Sequence, residues 1–332
     1  MTDSIKEMIM TRTQKLTRHL PLALTAVAAL LLAGCGGGGS RSIDGTEAAT
    51  TPPSQGTVSG NVVKGPVSGA TVRAFAVSGG VMGAPISSAL TDASGAFTMP
   101  MGSYAGPVML QMNGGTYTDE ATGIPMTMGA GDVMTAVLPA IAAGANVKGI
   151  AVTPLTAMAQ AMAQRMSGGL TDANIAVANT AVGNYFMVHD ILHTQPINPL
   201  VPGSATGATQ DMMNYGMTLA AMSQYAKGAG MSSSSGFVTA MMNDAADGVI
   251  DGKASGTQVA MGGGMSAGGT TTTGGGMMGV TGSNMMQPDA GRAGLSTAMS
   301  EFMNSSLNRS GLSATGMTTL MQQLRDGTGQ LH

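Results

Sequence analysis

The sequence predicts an α+β protein of several domains, in which an antiparallel β-sandwich precedes a small all-helical domain. Three observations lead to this prediction. Apolar and polar residues alternate along residues 57–115, which is typical of half-buried strands. After residue 152 the apolar residues recur every three or four positions, which indicates helices. The stretch 253–292 consists mainly of Gly, Met, Thr and Ser without any period, which predicts a disordered loop.

The composition limits the classes of function that this chain could have. Its 332 residues include 51 glycines, 32 methionines and one cysteine, and only 9% of them are charged. The formal net charge of −3 excludes the basic surface that nucleic-acid binding requires. A single cysteine excludes both a disulfide scaffold and a zinc site built from cysteine pairs. We therefore expect no nucleic-acid partner, and the sequence gives no sign of a cofactor.

The first 34 residues have the organisation of an export signal. An apolar run over residues 20–34 would be about 22 Å long as a helix, shorter than the roughly 30 Å hydrocarbon core of a membrane. This length predicts a cleavable signal peptide rather than a membrane span. The basic residues that precede the apolar run are Lys6, Arg12, Lys15 and Arg18.

The apolar run ends in Leu32-Ala33-Gly34-Cys35, which resembles the lipobox of bacterial lipoproteins. The resemblance implies cleavage between Gly34 and Cys35 and attachment of a diacylglyceryl group to the Cys35 sulfur. The residue after Cys35 is glycine and not aspartate, which by the same resemblance favours the outer membrane. Residues 35–56 are rich in Gly, Ser, Thr and Pro, so we expect a flexible tether between the lipid anchor and the first domain.

Short alternating segments separated by turn residues predict strands throughout residues 57–152. Two motifs in this region, Pro66-Val67-Ser68-Gly69-Ala70 and Thr91-Asp92-Ala93-Ser94-Gly95-Ala96-Phe97, resemble those of the carboxypeptidase-regulatory-like, or transthyretin-like, β-sandwich module. The resemblance implies that the first motif turns the chain into the second strand. It also implies that the second motif is a hairpin before a core aromatic residue. Both motifs contain turn and core positions and no catalytic residue.

Four helices are predicted in the region 153–252. Thr153 is a suitable N-cap and Pro154 suits the first helical position, so the first helix begins there and ends near Gly168. Thr171 is the expected cap of the second helix. The other two helices of this region are expected at about 208–227 and 236–244. Two further helices are expected after it, at about 293–307 and 313–325. The predicted segments are therefore a signal peptide (1–34), a tether (35–56), a β-sandwich (57–152), a helical domain (153–252), a disordered loop (253–292) and C-terminal helices (293–332).

The carboxylates offer two candidate metal sites. Asp244, Asp247 and Asp251 lie in a run of Asp-Gly turns that is similar to a calcium loop, but alanines occupy two of the positions where an EF-hand has ligand oxygens. We therefore favour a helix end with Asp-Gly turns, and calcium binding is the alternative. The adjacent Asp119 and Glu120 are expected to be solvated on a loop.

Histidine and methionine offer two further possibilities. His189 and His193 are four residues apart, which on a helix would place them on one face, but no glutamate of a zinc-protease motif accompanies them. Partly exposed histidines are the favoured interpretation. Thioethers in the 253–292 stretch would suit Cu(I), although methionine is frequent in the whole chain and can simply fill the core. These methionines are Met261, Met265, Met277, Met278, Met285 and Met286.

These observations lead to an expected function. We expect a lipid-anchored cell-envelope protein at the outer membrane, with a non-enzymatic binding or structural role and with an envelope protein or a glycan as partner. Binding of Cu(I) or calcium is one alternative, and a glycan-acting accessory protein is another. Converging carboxylates in an exposed cleft would favour an enzyme, whereas a flat face would favour binding.

Overall fold

The computed structural model describes residues 55–129, 131–262 and 285–332. Over these residues the chain combines β-sheets, which are mostly antiparallel, with six α-helices. The strands are β1 (Gly56–Val62), β2 (Thr71–Ser78), β3 (Val81–Leu90), β4 (Ala96–Gly102), β5 (Gly106–Asn113), β6 (Thr116–Thr118), β7 (Pro125–Thr127), β8 (Val133–Ile141), β9 (Asn146–Val152), β10 (Lys253–Ala254) and β11 (Thr257–Gln258). The helices are α1 (Pro154–Arg165), α2 (Asp172–Tyr185), α3 (Gln210–Gly228), α4 (Ser234–Ala245), α5 (Leu295–Met303) and α6 (Thr318–Asp326).

The first nine strands form two principal sheets and a separate hairpin. One sheet has the order β4-β1-β9, the other has the order β3-β2-β5-β8, and β6 pairs with β7. Pairing is antiparallel throughout the four-stranded sheet. In the three-stranded sheet β1 is antiparallel to β4 but parallel to β9. The expectation of antiparallel strands is therefore wrong for the pair β1 and β9. Between these two strands the chain forms all four strands of the other sheet.

The two principal sheets share one hydrophobic core. Alternate residues of β1 are buried, as the period of two in the sequence predicts. Val58 of β1 and Met99 of β4 thereby join Leu110 and Met112 of β5 in a single cluster. Each large apolar side chain buried in this way contributes about 1.5–3 kcal/mol relative to an exposed one. The shared core therefore holds the two sheets together.

The two motifs of the β region have different outcomes. The first leads directly into β2, as predicted. The second is not a hairpin, because β3 pairs within the four-stranded sheet and β4 within the three-stranded sheet. Asp92 stabilises this turn by accepting hydrogen bonds from the amides of Ser94 (2.8 Å) and Ala96 (3.0 Å), while Gly95 supplies a φ of +78°. The turn therefore passes the chain from one sheet to the other, and the aromatic residue after it, Phe97, is buried as expected.

Helix α1 connects the four-stranded sheet with the other helices. Its N-cap is Thr153, whose side chain accepts a hydrogen bond from the Thr156 amide, so this predicted helix start is confirmed. The helix packs against α2, α4 and β8. Its apolar side chains share a cluster with Met109 and Val137, which alternate along their strands with the residues of the first core. Helices α1 and α2 therefore cover the outer face of the four-stranded sheet at β8.

Helix boundaries differ from the predicted ones by a few residues. Helix α1 ends at Arg165, before Gly168, and α3 begins two residues later than predicted. The serine run 232–235 contributes to the fourth helix, because Ser233 is the N-cap of α4 and Ser234 is its first residue. The fourth helix thus begins two residues earlier than predicted, and its first turn is buried.

The stretch 253–292 is partly ordered. Strands β10 and β11 form a short hairpin, and Met286 is fully buried in the helical core. The prediction of a disordered loop is therefore wrong for residues 253–262 and 285–292. Residues 263–284 lie outside the described part of the chain. So do residues 1–54, which contain the predicted signal peptide and nearly all of the predicted tether.

Candidate functional site

A fully buried lysine forms the centre of the most strongly charged site in the described part of the chain. Lys64 follows β1, and its Nζ donates a hydrogen bond to Glu120 Oε2 at 2.7 Å. The same ammonium group also bonds to the hydroxyl of Ser223 in α3. Ser223 in turn donates to Glu120 Oε2 at 2.6 Å. Three polar side chains thus satisfy one another away from water, which is the condition for burying charges at tolerable cost.

A second carboxylate extends this arrangement. Asp119 Oδ2 accepts a hydrogen bond of 2.7 Å from Ser234, the first residue of α4. Ser234 also lies 2.9 Å from the hydroxyl of Tyr117, and the Tyr117 ring lies under the Lys64 ammonium group at 5.6 Å. We call these residues the buried charge cluster. It consists of Lys64, Tyr117, Asp119, Glu120, Ser223 and Ser234.

The cluster joins the β-strands to the helices. The two carboxylates lie in the loop between β6 and β7, whereas the serines belong to α3 and α4. Two further contacts lie beside it. Lys227 of α3 donates to the carbonyl oxygen of Ala121 at 2.8 Å, and Ser235 of α4 donates to Asp132 Oδ2 at 2.5 Å. This loop and the helices are therefore connected by several hydrogen bonds.

The charges in the cluster stabilise one another. Burial by itself would lower the pKa of Lys64, but the neighbouring Glu120, Tyr117 and Asp119 raise this pKa above its ordinary value. Burial likewise acts to raise the pKa of Asp119, but Lys64 and the hydroxyl donors outweigh it and hold that pKa below its usual range. Lys64 is therefore an ammonium ion and Asp119 a carboxylate at neutral pH.

The pairing of a lysine with a serine is also found in nucleophilic catalysis, where a neutral lysine takes the proton of the serine hydroxyl. That role requires a lowered lysine pKa and an exposed hydroxyl. Here the pKa of Lys64 is raised, and Ser223 is 1% exposed. The geometry thus suits an ion pair that holds the structure together and not a base beside a nucleophile.

The predicted position of the two adjacent carboxylates was wrong. Asp119 and Glu120 are each 2% exposed and are not solvated on a loop. Lys64 is also buried. The sequence contains no spacing that would reveal this, since 56 positions separate Lys64 from Glu120 and 159 separate it from Ser223.

The three candidate calcium ligands organise the chain after α4. Asp244 Oδ1 accepts hydrogen bonds from the backbone amides of Asp251 (3.0 Å), Gly252 (2.8 Å) and Lys253 (3.0 Å). Asp251 Oδ1 accepts from the Lys253 amide at 3.0 Å. The third carboxylate, Asp247, accepts from the amides of Val249 at 3.2 Å and Ser255 at 2.6 Å. These carboxylate oxygens accept hydrogen bonds from backbone amides. Among the described residues, no three histidine, cysteine, aspartate or glutamate side chains lie together so that they could hold a metal ion.

Asp244 has an unusual environment. Its side chain is fully buried, and Oδ2 has no hydrogen-bond partner in the described part of the chain. Burial raises the pKa of Asp244 to about 7. The three amide donors act to lower this pKa, whereas the charge of the nearby Asp251 acts to raise it. The group therefore changes its protonation state near neutral pH.

The two histidines do not share a helix face. Both lie in the turns that follow α2, and each has its own acidic neighbour. His189 Nδ1 lies 3.5 Å from Asp211 Oδ2, and His193 Nδ1 lies 2.8 Å from Asp190 Oδ2. The histidines are thus separate, exposed groups, as the favoured interpretation expects.

The methionines proposed for Cu(I) are divided between the core and the undescribed part of the chain. Met261 and Met286 are buried in the helical core, and Met285 is half-buried. Met265, Met277 and Met278 lie outside the described residues, as do Gly34 and Cys35. Among the helices of the described residues, none has the length and apolar character needed to cross a membrane.

Comparisons with known proteins do not identify a family. No protein-family model matches the sequence, and the search of curated proteins found no match. One solved structure that it partly matches is a 9R-lipoxygenase from Cyanothece PCC8801, with 15% identity and a TM-score of 0.19. The match covers 33% of this chain and 18% of the lipoxygenase chain. A similarity of this size carries no conclusion about fold or function.

Proposed function

We propose that this chain is a lipid-anchored protein of the bacterial cell envelope, held at the outer membrane by acyl groups on Cys35, with a non-enzymatic binding or structural role. The location rests on the basic and apolar leader and on the segment Leu32-Ala33-Gly34-Cys35. Acyl chains bind a membrane with about 0.8 kcal/mol for each buried methylene group, so two or more chains hold a protein firmly. The partner would be another envelope component, either a protein or a glycan.

The β region would be a sandwich module of the transthyretin-like type, and the helices that follow it would form the second domain. The core shared by the two principal sheets supports this assignment. The turn before β2 and the buried Phe97 agree with the motifs of that module. The motifs contain turn and core positions, so function would depend on surfaces and cavities.

The burial of the charge cluster is the observation that carries the non-enzymatic role. A catalytic lysine and serine must reach a substrate, whereas Lys64 and Ser223 are 0% and 1% exposed. Their hydrogen bonds connect strands and helices. The most strongly charged side-chain cluster in the described part of the chain thus maintains the structure.

The lipid anchor is tested by labelling cells with an alkyne-bearing fatty acid and by mass spectrometry of the purified protein. We expect the wild type to begin at Cys35, to carry acyl groups on that residue and to sediment with membranes. Cys35→Ser should lose both the label and the membrane association. The double variant Cys35→Ser/Ser40→Cys is a matched control, since it keeps one cysteine but moves it out of the motif. An unmodified Cys35, or a retained leader, would contradict the anchor.

The non-enzymatic role is tested with a serine-reactive organophosphorus probe on the full-length protein in detergent. We expect Ser223 to remain unmodified, because its hydroxyl is buried and the adjacent lysine is protonated. Modification of Ser223 that disappears in the Lys64→Met variant would show an activated nucleophile and would overturn this part of the proposal.

A further inference from the structure

A cavity lies directly beside the buried charge cluster, between the β-strands and the helices. Its volume is about 230 Å³. Strand β1 and the turn after it form one wall, and the segment 195–199 with Leu219 of α3 forms the other. Leu219 is one helical turn before Ser223, so the same face of α3 contributes to the cavity and to the cluster.

The cavity is largely apolar, and its charged lining residue is Glu120. Both hydrogen bonds that Glu120 accepts from Lys64 and Ser223 end on Oε2. Within the described part of the chain Oε1 receives none, so it can accept a donor from a ligand. The apolar lining consists of Val63, Pro66, Pro196, Ile197, Pro199 and Leu219. Pockets of this kind, apolar with a few polar groups, are typical of small-molecule sites.

The charge balance indicates the sign of the ligand. Two carboxylates, Asp119 and Glu120, face one ammonium group, Lys64, in the cluster. Lys227 is a further cation nearby, and it donates a hydrogen bond to the main-chain oxygen of Ala121 at 2.8 Å. The sign of the ligand therefore depends on Glu120 Oε1, where an ammonium group would gain a charge-assisted hydrogen bond and an anion would be repelled by the carboxylate.

We propose that this cavity binds a small aliphatic amine, with its ammonium group donating to Glu120 Oε1 and its aliphatic part in contact with Val63, Ile197 and Leu219. This inference rests on the proposed binding role and specifies the ligand class for it. The size limits the ligand to roughly ten non-hydrogen atoms. Because strands and helices both line the cavity, the ligand would touch both parts of the protein.

The test is a saturation-transfer NMR titration of the full-length protein in detergent with L-leucinamide. We expect saturable binding with a dissociation constant of about 1 mM, which suits so small a ligand. 4-Methylpentanamide has the same aliphatic part and is no larger than leucinamide, but it has no ammonium group, and we expect it to bind at least about tenfold more weakly. Equal binding of the two probes, or no saturable binding of leucinamide, would overturn the proposal.

Two valine substitutions locate the site without breaking the ion pair. Val63 is half-buried at the cavity, so Val63→Phe should fill the space and weaken leucinamide binding by at least about tenfold. Val177, which is 50% exposed on α2 and does not line the cavity, provides the matched control Val177→Phe. Unchanged binding in a folded Val63→Phe protein would overturn the assignment to this cavity. Fatty-acid labelling tests the lipid anchor separately from ligand binding. A negative result in one of these two experiments therefore does not decide the other.

Discussion

Lys64 shows how a single buried charge depends on its neighbours. Its ammonium group is fully buried and is matched by Glu120 at 2.7 Å. Removing one member of such a pair leaves the other charge buried without compensation, which is costly. Replacing both with apolar residues of similar volume is often neutral, because no charge then remains in the interior.

We therefore expect Lys64→Met to lower the free energy of unfolding by about 3–5 kcal/mol, and the double variant Lys64→Met/Glu120→Leu to regain much of that loss. Lys148→Met is the control, since Lys148 is exposed and its replacement should change stability by less than about 0.5 kcal/mol. Urea denaturation followed by circular dichroism measures all three. Equal stability of the Lys64 and Lys148 variants would contradict a structural ion pair.

Asp244 gives a pH-dependent prediction at the same scale. Its pKa is about 7 in the folded protein, above the ordinary value of 3.8, so the folded state binds the proton more tightly than the unfolded state. The stabilisation is complete below about pH 4 and is lost as the pH rises through about 7. Between these values the free energy of unfolding should therefore fall with rising pH.

Asp244→Asn resembles the protonated acid and should remove this contribution. We expect the variant and the wild type to be similarly stable at pH 4, and the variant to be more stable by about 1–3 kcal/mol at pH 8, since an unpaired buried oxygen costs about that amount. Asp326→Asn, at an exposed position, is the control. Denaturant unfolding at both pH values measures the difference. A pH-independent difference between wild type and Asp244→Asn would contradict the shifted pKa.

Helix α3 shows how a glycine can be required within a regular element. A β-carbon at Gly216 would lie 2.4 Å from the carbonyl oxygen of Ile197 and 2.5 Å from its side chain. The helix therefore approaches the segment 195–199 through a position without a side chain. At Gly228, the last residue of the same helix, no atom lies within 4 Å of the added β-carbon.

These two glycines should respond to alanine in opposite directions. Gly216→Ala should lower the free energy of unfolding by about 1–3 kcal/mol, because the backbone must move to admit the methyl group. Gly228→Ala should raise it by about 0.4–1 kcal/mol through the greater helix preference of alanine. Thermal unfolding of the two variants beside the wild type provides the comparison. Stabilisation by Gly216→Ala would show that α3 does not pack as closely as described.

At the scale of the whole described chain, the strands and helices share both a core and a set of hydrogen bonds. Side chains of the four-stranded sheet, including Met109 and Val137, belong to the same hydrophobic cluster as the helices. Asp119 and Asp132 bind serines of α4. Interfaces of this kind make it unfavourable for one part to unfold while the other stays folded.

We therefore expect strands and helices to unfold together in one transition. The midpoint of denaturant unfolding should be the same by two methods. One is far-ultraviolet circular dichroism, which follows mainly the helices, and the other is hydrogen exchange at the buried amides of β1 and β5. Ser234→Ala, which removes the hydrogen bond to Asp119, should lower both midpoints equally, and Ser300→Ala on α5 should leave them unchanged. Two separated transitions would contradict the coupling.

Features that depend on neighbouring residues could be predicted from the sequence. The N-caps Thr153 and Thr171 bind amides three residues away, so the sequence contains both partners of each bond within one turn. The alternation of β1 and the turn at Asp92 are local in the same sense. Exact helix ends were less accurate, because packing and capping by distant residues also influence them.

The sequence by itself determined the order of strands and helices and the capped starts at Thr153 and Thr171, because hydrogen bonds and apolar periods of a few residues determine these features. Only the tertiary structure decided that β1 pairs in parallel with β9, that Asp119 and Glu120 are buried with Lys64, and that a cavity lies beside them. Those features join residues up to 159 positions apart. Their partners are selected by the packing of whole elements, and no local pattern in the sequence encodes that selection.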